Sequence, residues 1–278
     1  MLFSRKSSLF RLVTPLLVLF GGALVGQPAA AQGDLLVAPT RIILDGRRGT
    51  QVILSNIGSE EATYRISLVL RRMTPEGALE EVDELEVLPE ETAALEMIRY
   101  APRRITLPPG QPQAVRIAAR PGAELPDGEY RVHMSFNSIP KPRPVTQAST
   151  EATGVTINLI PIYGVTIPII VRHGKVSAQA ALSQPQIVQG TNGPELAFAI
   201  SRQGDISTYG EIRAIKAGLK EPMYLARGLA VYHELSERQV KLKLSPEQVV
   251  ALKGPVRFEY REMPDAGGGL IAAVDTVL

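Results

Sequence analysis

The most constraining feature of the sequence is an alternating apolar run from Val155 to Val171. Every odd position in this run except Pro161 carries a large apolar side chain, namely Val155, Ile157, Leu159, Tyr163, Val165, Ile167, Ile169 and Val171. Successive side chains of a β-strand point to opposite faces, so these residues share one face over more than about 45 Å, at ~3.3 Å per residue. The run therefore predicts a strand that is longer than one sandwich face requires.

The composition indicates an all-β chain. The 22 prolines and 24 glycines are spread along 278 residues at turn-like intervals, and Val and Ile are abundant, which favours many short strands over long helices. Only Pro246–Leu252 is predicted as a helical turn. The chain has no Cys, which excludes disulfides, thiolate nucleophiles and Cys-ligated metal centres.

The first 31 residues have the pattern of a secretory signal peptide. Arg5, Lys6 and Arg11 precede an apolar run, Leu12 to Leu24, and residues 29–31 are three alanines that fit a cleavage site. The alternative is an uncleaved membrane anchor, but the run is shorter than the ~20 residues that a span needs. Cleavage would change the formal charge from +2 to −1. We therefore expect an exported, soluble product with no membrane anchor and no affinity for nucleic acid.

The mature chain is predicted to form two sandwiches. Short strand-like segments separated by Gly- or Pro-containing turns extend from Leu35–Leu44, read as one strand, to Leu270–Thr276. The acidic stretch Glu76–Glu96 is interpreted as a solvent-facing excursion. Residues 32–172 are assigned to an N-terminal domain that ends with the long strand, and residues 173–278 to a C-terminal domain of seven or eight strands.

Catalysis has little support in the sequence. The three histidines, His133, His173 and His233, are far apart and lack the spacing of metal ligands, and no Gly-x-Ser-x-Gly or phosphate-loop motif occurs. Gly267-Gly268-Gly269 is interpreted as a hairpin turn because only nine residues follow it. We expect no enzymatic activity, no cofactor, no metal and no small-molecule substrate.

Four segments resemble the PapD-like periplasmic chaperones of pilus and fimbria assembly, in particular their divergent, alternative or archaic branch. These segments occur in the family's order and at its spacing: Ala38-Pro39-Thr40-Arg41 with the strand and turn that follow, Pro102 to Gly110, Leu125 to Arg131 leading into Ser138-Ile139-Pro140, and Ile167 to Arg172. The resemblance implies two immunoglobulin-like sandwiches in a boomerang arrangement. It also implies two partners, a pilus or fimbrial subunit and an outer-membrane usher.

The mechanism that the resemblance implies agrees with the alternating run. A subunit that lacks its final strand exposes a hydrophobic groove and unpaired backbone groups, and a lent strand covers both. Val155, Ile157 and Leu159 are the predicted donor residues. The alternative is that these residues pack into their own sandwich.

The family's cleft holds the subunit's C-terminal carboxylate with an Arg on the first strand and a Lys on the last. Arg41 matches the first cation, and a guanidinium is well suited to binding a carboxylate. Pro168 occupies the position of the second, so this cation is missing, and Arg131 or Arg116 is a candidate replacement. The alternative is that Arg41 is an ordinary surface arginine.

The resemblance further implies a charge network between the domains, formed by Glu129, Arg172 and Asp265. Burial of one charge requires the others, because an unpaired buried charge is costly. The alternative is three unrelated surface charges. Taken as a whole, the sequence favours a chaperone that lends a strand, and the competing hypothesis is a two-domain adhesion or structural module of the cell envelope that keeps its own strand.

Overall fold

A computed structural model describes residues 35–141, 162–219 and 221–278. These residues all belong to one compact unit, Gln32–Leu278. The predicted signal peptide and the predicted donor residues Val155, Ile157 and Leu159 lie outside the described residues.

The first sandwich is built from two sheets and a small hairpin. Its elements are β1 (Leu35–Ala38), β2 (Ile42–Leu44), β3 (Thr50–Asn56), β4 (Ala62–Val69), β5 (Arg71–Met73), β6 (Leu79–Glu81), α1 (Pro89–Met97), β7 (Ile98–Ala101), β8 (Arg104–Leu107), β9 (Gln113–Ala119), β10 (Gly128–Ile139) and β11 (Gly164–His173). One sheet has the order β1-β3-β9-β7, the other has the order β2-β11-β10-β4-β8, and β5 pairs with β6. This strand order is that of an immunoglobulin-like sandwich.

Four residues separate the end of β11 from the second sandwich. Its elements are β12 (Ala178–Leu182), β13 (Gln186–Gly190), β14 (Gly193–Gly204), β15 (Thr208–Ile215), β16 (Tyr224–Val231), β17 (Glu237–Lys243), α2 (Pro246–Leu252), β18 (Pro255–Glu262) and β19 (Leu270–Val277). The long strand β14 pairs with β12 and β13 along one edge and with β17 along the other, and the facing sheet has the order β16-β15-β18-β19. The all-β class with two immunoglobulin-like sandwiches is therefore confirmed.

Each sandwich has its own core, and a third apolar cluster joins them. Tyr64, Phe136 and Ile169 belong to the first core, whereas Phe258 and Tyr260 belong to the second. The joining cluster consists of Met73, Ile170, Ala230 and Tyr232. Burial of this cluster supplies a hydrophobic contribution to the association of the two sandwiches.

The first predicted strand is wrong in its extent. Leu35–Leu44 is not one strand, because it breaks after Ala38 into β1 and β2, which lie in opposite sheets. Pro39 has no backbone N–H to donate to a ladder, which is consistent with a break at this point. The consequence is functional, since the break places Arg41 immediately before β2.

The acidic excursion is also more ordered than the sequence predicted. It contains β6, which pairs with the preceding β5, and all but the last residue of the nine-residue helix α1, whose Ala94 and Met97 are buried in the first core. The Glu91 carboxylate accepts hydrogen bonds from the Arg72 Nε and Nη2 atoms, both at 2.7 Å, and from the Leu88 backbone N–H at 2.9 Å. Burial opposes ionisation of Glu91, but the bonds from Arg72 and Leu88 outweigh it and lower the pKa of Glu91.

The last strand of the first sandwich follows the predicted alternation in the part that the structure describes. Ile167, Ile169 and Val171 are at most 2% exposed and lie in the first core. On the opposite face, Ile170 is fully buried in the cluster that joins the sandwiches. This half of the run therefore packs within the chain itself.

Replacing Ile169 with Ala should lower the free energy of unfolding by about 3 kcal/mol, because the substitution leaves a cavity in a closely packed core. The matched control is Ile57→Ala. Ile57 is 64% exposed, so this substitution should change the free energy of unfolding by less than about 0.5 kcal/mol. Urea unfolding followed by circular dichroism measures both. Equal effects of the two substitutions would contradict the assignment of Ile169 to the core.

Candidate functional site

The first component of the candidate site is an open edge on β11. All ten residues of β11 pair with β10, from Gly164 opposite Asn137 to His173 opposite Gly128. On its other side, β11 pairs with β2 over only three residues, with Ile42 to Leu44 opposite Ile169 to Val171. Among the described residues, Gly164–Pro168 therefore has a ladder partner on one side alone. An unpaired strand edge presents backbone groups that another strand can bind.

Apolar side chains become progressively exposed along this edge toward the N-terminal end of β11. Ile167 is 2% exposed, Val165 is half-buried, Tyr163 is 51% exposed and Ile162 is 65% exposed. The antiparallel pairing extends beyond β11, because the Ser138 backbone N–H donates to the Tyr163 carbonyl at 2.9 Å. The antiparallel arrangement with β10 therefore continues as far as Tyr163.

The second component is Arg41, which directly precedes β2. Its Nη2 atom donates to Ser207 Oγ at 3.2 Å, and its Nη1 atom lies 3.4 Å from the Tyr232 hydroxyl. The guanidinium carbon is 4.4 Å from the centre of the Tyr209 ring and 5.5 Å from the centre of the Tyr232 ring. Arg41 belongs to the first sandwich, but all of these contacts are with the second. No ion pair among the described residues includes Arg41.

A cavity of about 420 Å³ lies beside Arg41. Residues of both sandwiches line it, among them Ile43, Arg172, Tyr209 and Asp265. The wall is mixed in character, with two cations, Arg41 and Arg172, and two carboxylates, Glu262 and Asp265. Arg172 is already paired with Glu129, so the Arg41 guanidinium is the group on this wall that is suited to bind an added carboxylate.

Glu129 and Arg172 lie next to each other and contact the second sandwich. The Arg172 Nε atom donates to Glu129 Oε2 at 3.2 Å, and the Glu129 side chain is fully buried. Ser207 joins this pair through its backbone. Its N–H donates to Glu129 Oε2 at 3.1 Å, and its carbonyl accepts from Arg172 Nη2 at 3.3 Å. A charged pair from one sandwich therefore fixes the start of β15 in the other.

Asp265, the third residue expected in this network, does not join it. Asp265 lines the cavity with Arg172, yet it forms none of the ion pairs found in the described part of the chain. A separate ion pair joins the sandwiches through Glu234, which follows β16 and accepts two hydrogen bonds from Arg131, from Nη1 at 3.0 Å and from Nη2 at 2.6 Å. It also accepts from the Met73 backbone N–H at 2.8 Å. The turn motif beside Asp265 indicates local conformation and gives no information on distance in space.

The two arginines considered as replacements for the missing cation lie in other surroundings. Arg131 is 7% exposed, is bound by Glu234 and lies with its guanidinium carbon 3.6 Å from the centre of the Tyr232 ring. Arg116 is exposed on β9, where it lines a separate surface depression with Tyr100. Pro168 is paired with His133 on β10. Arg41 is therefore the cation that both lines the cavity and lies next to the open edge.

Arg202 is a further residue that the sequence did not single out. Its guanidinium donates to the carbonyls of Leu235, Gly204, Ile206 and His233 at 2.6 to 3.0 Å. These carbonyls belong to the two loops that carry Ser207 and Glu234. Five donors in a rigid fork enable one arginine to hold several carbonyls at once. No local sequence signal could reveal this role, because it depends on contacts between distant residues.

The described residues lack two kinds of feature. They contain no group of three or more His, Asp or Glu side chains arranged to hold a metal ion. No helix in residues 35–141, 162–219 or 221–278 has the length and hydropathy needed to cross a membrane.

Comparison with known proteins gives similarity at the level of solved structures alone. No protein-family model matches the sequence, and no curated protein matches it. The chaperone DraB of E. coli is 15% identical, with a TM-score of 0.44 over 88% of this chain and 97% of that chain. The chaperone–tip subunit complex CsuC–CsuE of Acinetobacter baumannii is 12% identical, with a TM-score of 0.43 over 87% and 97%. The Salmonella enterica complex of SafA pilin with the SafB chaperone is 14% identical, with a TM-score of 0.43 over 88% and 96%. TM-scores below 0.5 do not by themselves assign the chain to a family.

Replacing Glu234 with Gln should lower the free energy of unfolding by about 3 kcal/mol, because the substitution leaves the buried Arg131 charge without its counter-ion. The matched control is Glu81→Gln, which breaks the exposed Arg71–Glu81 pair and should cost about 0 to 1 kcal/mol. Urea unfolding at neutral pH measures both changes. A Glu234→Gln variant as stable as the Glu81→Gln variant would contradict a structural role for this pair.

His133 should make the protein less stable as the pH falls. Burial, reinforced by the nearby charges of Arg131 and Arg71, lowers the pKa of His133 to about 3, and neither ring nitrogen has a hydrogen-bond partner among the described residues. The unfolded chain binds a proton near the ordinary value of about 6.5, whereas the folded chain does not. Between pH 7.5 and 5.5 this difference should lower the free energy of unfolding by about 1 kcal/mol.

A His133→Leu variant removes this titration. Its unfolding free energy should therefore fall less between pH 7.5 and 5.5 than that of the unchanged protein, whatever its stability at pH 7.5. Parallel pH profiles of the two proteins would show that His133 does not remain neutral in the folded state.

Proposed function

We propose that this protein is a periplasmic chaperone that binds and folds exported pilus or fimbrial subunits by lending them a β-strand. The observation that carries the proposal is the half-open β11. Gly164–Pro168 lacks a partner on one edge among the described residues, and the apolar side chains of Ile162 and Tyr163 are exposed where this edge begins. The sequence continues the same alternation upstream to Val155.

The physical basis of the proposal is strand addition. A subunit that lacks its last strand has unpaired backbone groups and an open apolar groove, and both cause aggregation. The edge of β11 supplies backbone partners. Val155, Ile157 and Leu159 share the sequence parity of the core residues Ile167 and Ile169, so on one continuous strand they would present apolar side chains to the groove.

The position of Arg41 supports a defined end point for the bound subunit. β2 runs parallel to β11 and begins at Ile42, opposite Ile169. A subunit strand added to Gly164–Pro168 in the same direction lies in line with β2. Its C-terminal carboxylate would then arrive at Arg41, the residue before Ile42. A charge-assisted hydrogen bond from the guanidinium favours that carboxylate over a neutral chain end.

The two sandwiches have separate roles in this proposal. The first provides the lent strand and Arg41, and the second provides Ser207, Tyr209 and Tyr232 around the guanidinium. The Glu129–Arg172 pair holds the second sandwich in place through Ser207. Asp265 contributes to the wall of the cavity instead of an ion pair.

The proposed chaperone works by binding, without a cofactor and without catalysis. The N-terminal segment with the pattern of a signal peptide directs export to the periplasm. The subunit is then delivered to an outer-membrane usher for assembly into a surface fibre.

The competing function is a two-domain adhesion or structural module of the cell envelope that keeps its own strand. The observation in its favour is that Ile167, Ile169 and Val171 pack into their own core. The two functions differ in the complexes that they predict. A chaperone forms a one-to-one complex with a subunit, whereas a structural module stays alone or self-assembles.

The direct test replaces both Ile157 and Leu159 with Asp. The chain is co-expressed with an exported, pilin-like subunit from the same genome, and the subunit that co-purifies is quantified. Two carboxylates in an apolar groove are strongly unfavourable, so we expect a loss of at least about tenfold in captured subunit.

The matched control replaces Thr156 and Asn158 with Asp. These positions alternate with the first pair along the same run, so the control adds the same charge on the opposite face of the strand. The control should retain capture, and both variants should unfold at the same urea concentration as the unchanged protein. Equal capture by Ile157→Asp/Leu159→Asp and the unchanged protein would refute strand lending.

A further inference from the structure

Arg41 belongs to the first sandwich, but the side chains around its guanidinium belong to the second. Its guanidinium contacts Ser207, Tyr209 and Tyr232, which all lie in the second sandwich. The Arg41 Nε atom is buried and has no hydrogen-bond partner among the described residues. No carboxylate in the described part of the chain forms an ion pair with Arg41, although Glu262 and Asp265 line the same cavity. A permanently charged, half-buried group without a counter-ion is a candidate for binding an anion.

The aromatic rings restrict how the guanidinium can move. Tyr209 is the nearer ring, with its centre 4.4 Å from the guanidinium carbon, and the Tyr232 ring lies at 5.5 Å. Aromatic faces attract a guanidinium placed over them. The second ring also has Arg131 3.6 Å from its centre, so Tyr232 is already occupied by another cation. Tyr209 is therefore the ring available to Arg41.

The position of Tyr209 is itself fixed by buried charges. Tyr209 is the second residue of β15, and Ser207 directly precedes that strand. Both backbone groups of Ser207 are bound by the Glu129–Arg172 pair. Tyr209 is also paired with Ala230 of β16, a residue buried between the sandwiches. A series of direct contacts thus connects the buried pair to the ring that contacts Arg41.

We propose that Tyr209 is a positioning residue for carboxylate recognition, because its ring holds the Arg41 guanidinium at the cavity beside the open end of the β11 edge. The ligand class is the C-terminal carboxylate of a bound polypeptide. This inference rests on the proposed function. It explains how one cation can serve where Pro168 occupies the position of a second, since a guanidinium held in place loses less conformational entropy when it binds.

The experiment measures the contribution of the carboxylate directly. A synthetic peptide with the last ten residues of the subunit from the co-purification test is prepared with a free carboxylate and with a C-terminal amide. Isothermal titration calorimetry gives the affinity ratio of the two peptides for each variant. We expect the unchanged protein to bind the free acid about tenfold more tightly, which is typical of a hydrogen bond to a charged group.

The informative variants are Tyr209→Leu and Tyr209→Phe. Tyr209→Leu removes the ring, so the acid-to-amide ratio should fall to about two- to threefold. Tyr209→Phe keeps the ring and should retain the full ratio. Arg41→Ala should bring the ratio to about one, and adding Tyr209→Leu to Arg41→Ala should change the ratio no further. The ratio is independent of general losses in affinity or stability, which affect both peptides equally.

The outcomes distinguish the positioning role of Tyr209 from the carboxylate anchor at Arg41. An unchanged ratio in Tyr209→Leu, together with a full ratio in the unchanged protein, overturns the positioning role and leaves Arg41 as the anchor. A ratio near one in the unchanged protein overturns the carboxylate anchor and the positioning role together. In that case strand lending is still judged separately, by the capture of subunit in the Ile157→Asp/Leu159→Asp variant.

Discussion

The two sandwiches meet at a carboxylate whose side chain has no solvent-exposed surface. The Glu129 side chain is fully buried, and it is stabilised by Arg172 from the neighbouring strand and by the Ser207 backbone from the second sandwich. An isolated buried charge costs several kcal/mol, so the folded state requires both partners to be present. Apolar burial around Ile170 and Tyr232 favours association of the sandwiches without specifying an orientation, whereas the hydrogen bonds of Glu129 are directional. The relative placement of Arg41 and Tyr209 follows from that geometry.

The sequence predicted the features that depend on local periodicity. The alternation from Val165 to Val171 correctly identified the buried face of β11, and the turn-rich composition correctly indicated two all-β sandwiches. The helix α1 was missed because its stretch was read only as an acidic surface. Pro89 followed by Glu90 and Glu91 is nevertheless a local signal for a helix start. The break between β1 and β2 was missed because both halves have strand-like residues.

Part of the site was also predictable, from resemblance to a family instead of from local periodicity. Arg41, Glu129 and Arg172 were chosen by resemblance to a family, and the structure places all three around Ser207. Glu234, Tyr209 and Tyr232 were not found, because their contacts join residues that are more than 100 positions apart in most cases. A single sequence has no periodic signal for such pairs. The incorrect choice of Asp265 has the same origin, since a turn motif indicates local conformation and not proximity to Arg172.

The short pairing between β2 and β11 has one more consequence. β2 pairs with just three residues of β11, so in the proposed complex its first residue, Ile42, marks where a guest strand must terminate. A guest that ended early would leave its charged terminus short of Arg41, and a guest with extra residues would collide with Ile42. On the proposed function, selection would therefore depend on the position of the guest's last residue and not on the guest's sequence. Such a site would accept strands with many different side chains and reject a strand whose C-terminus does not reach Arg41.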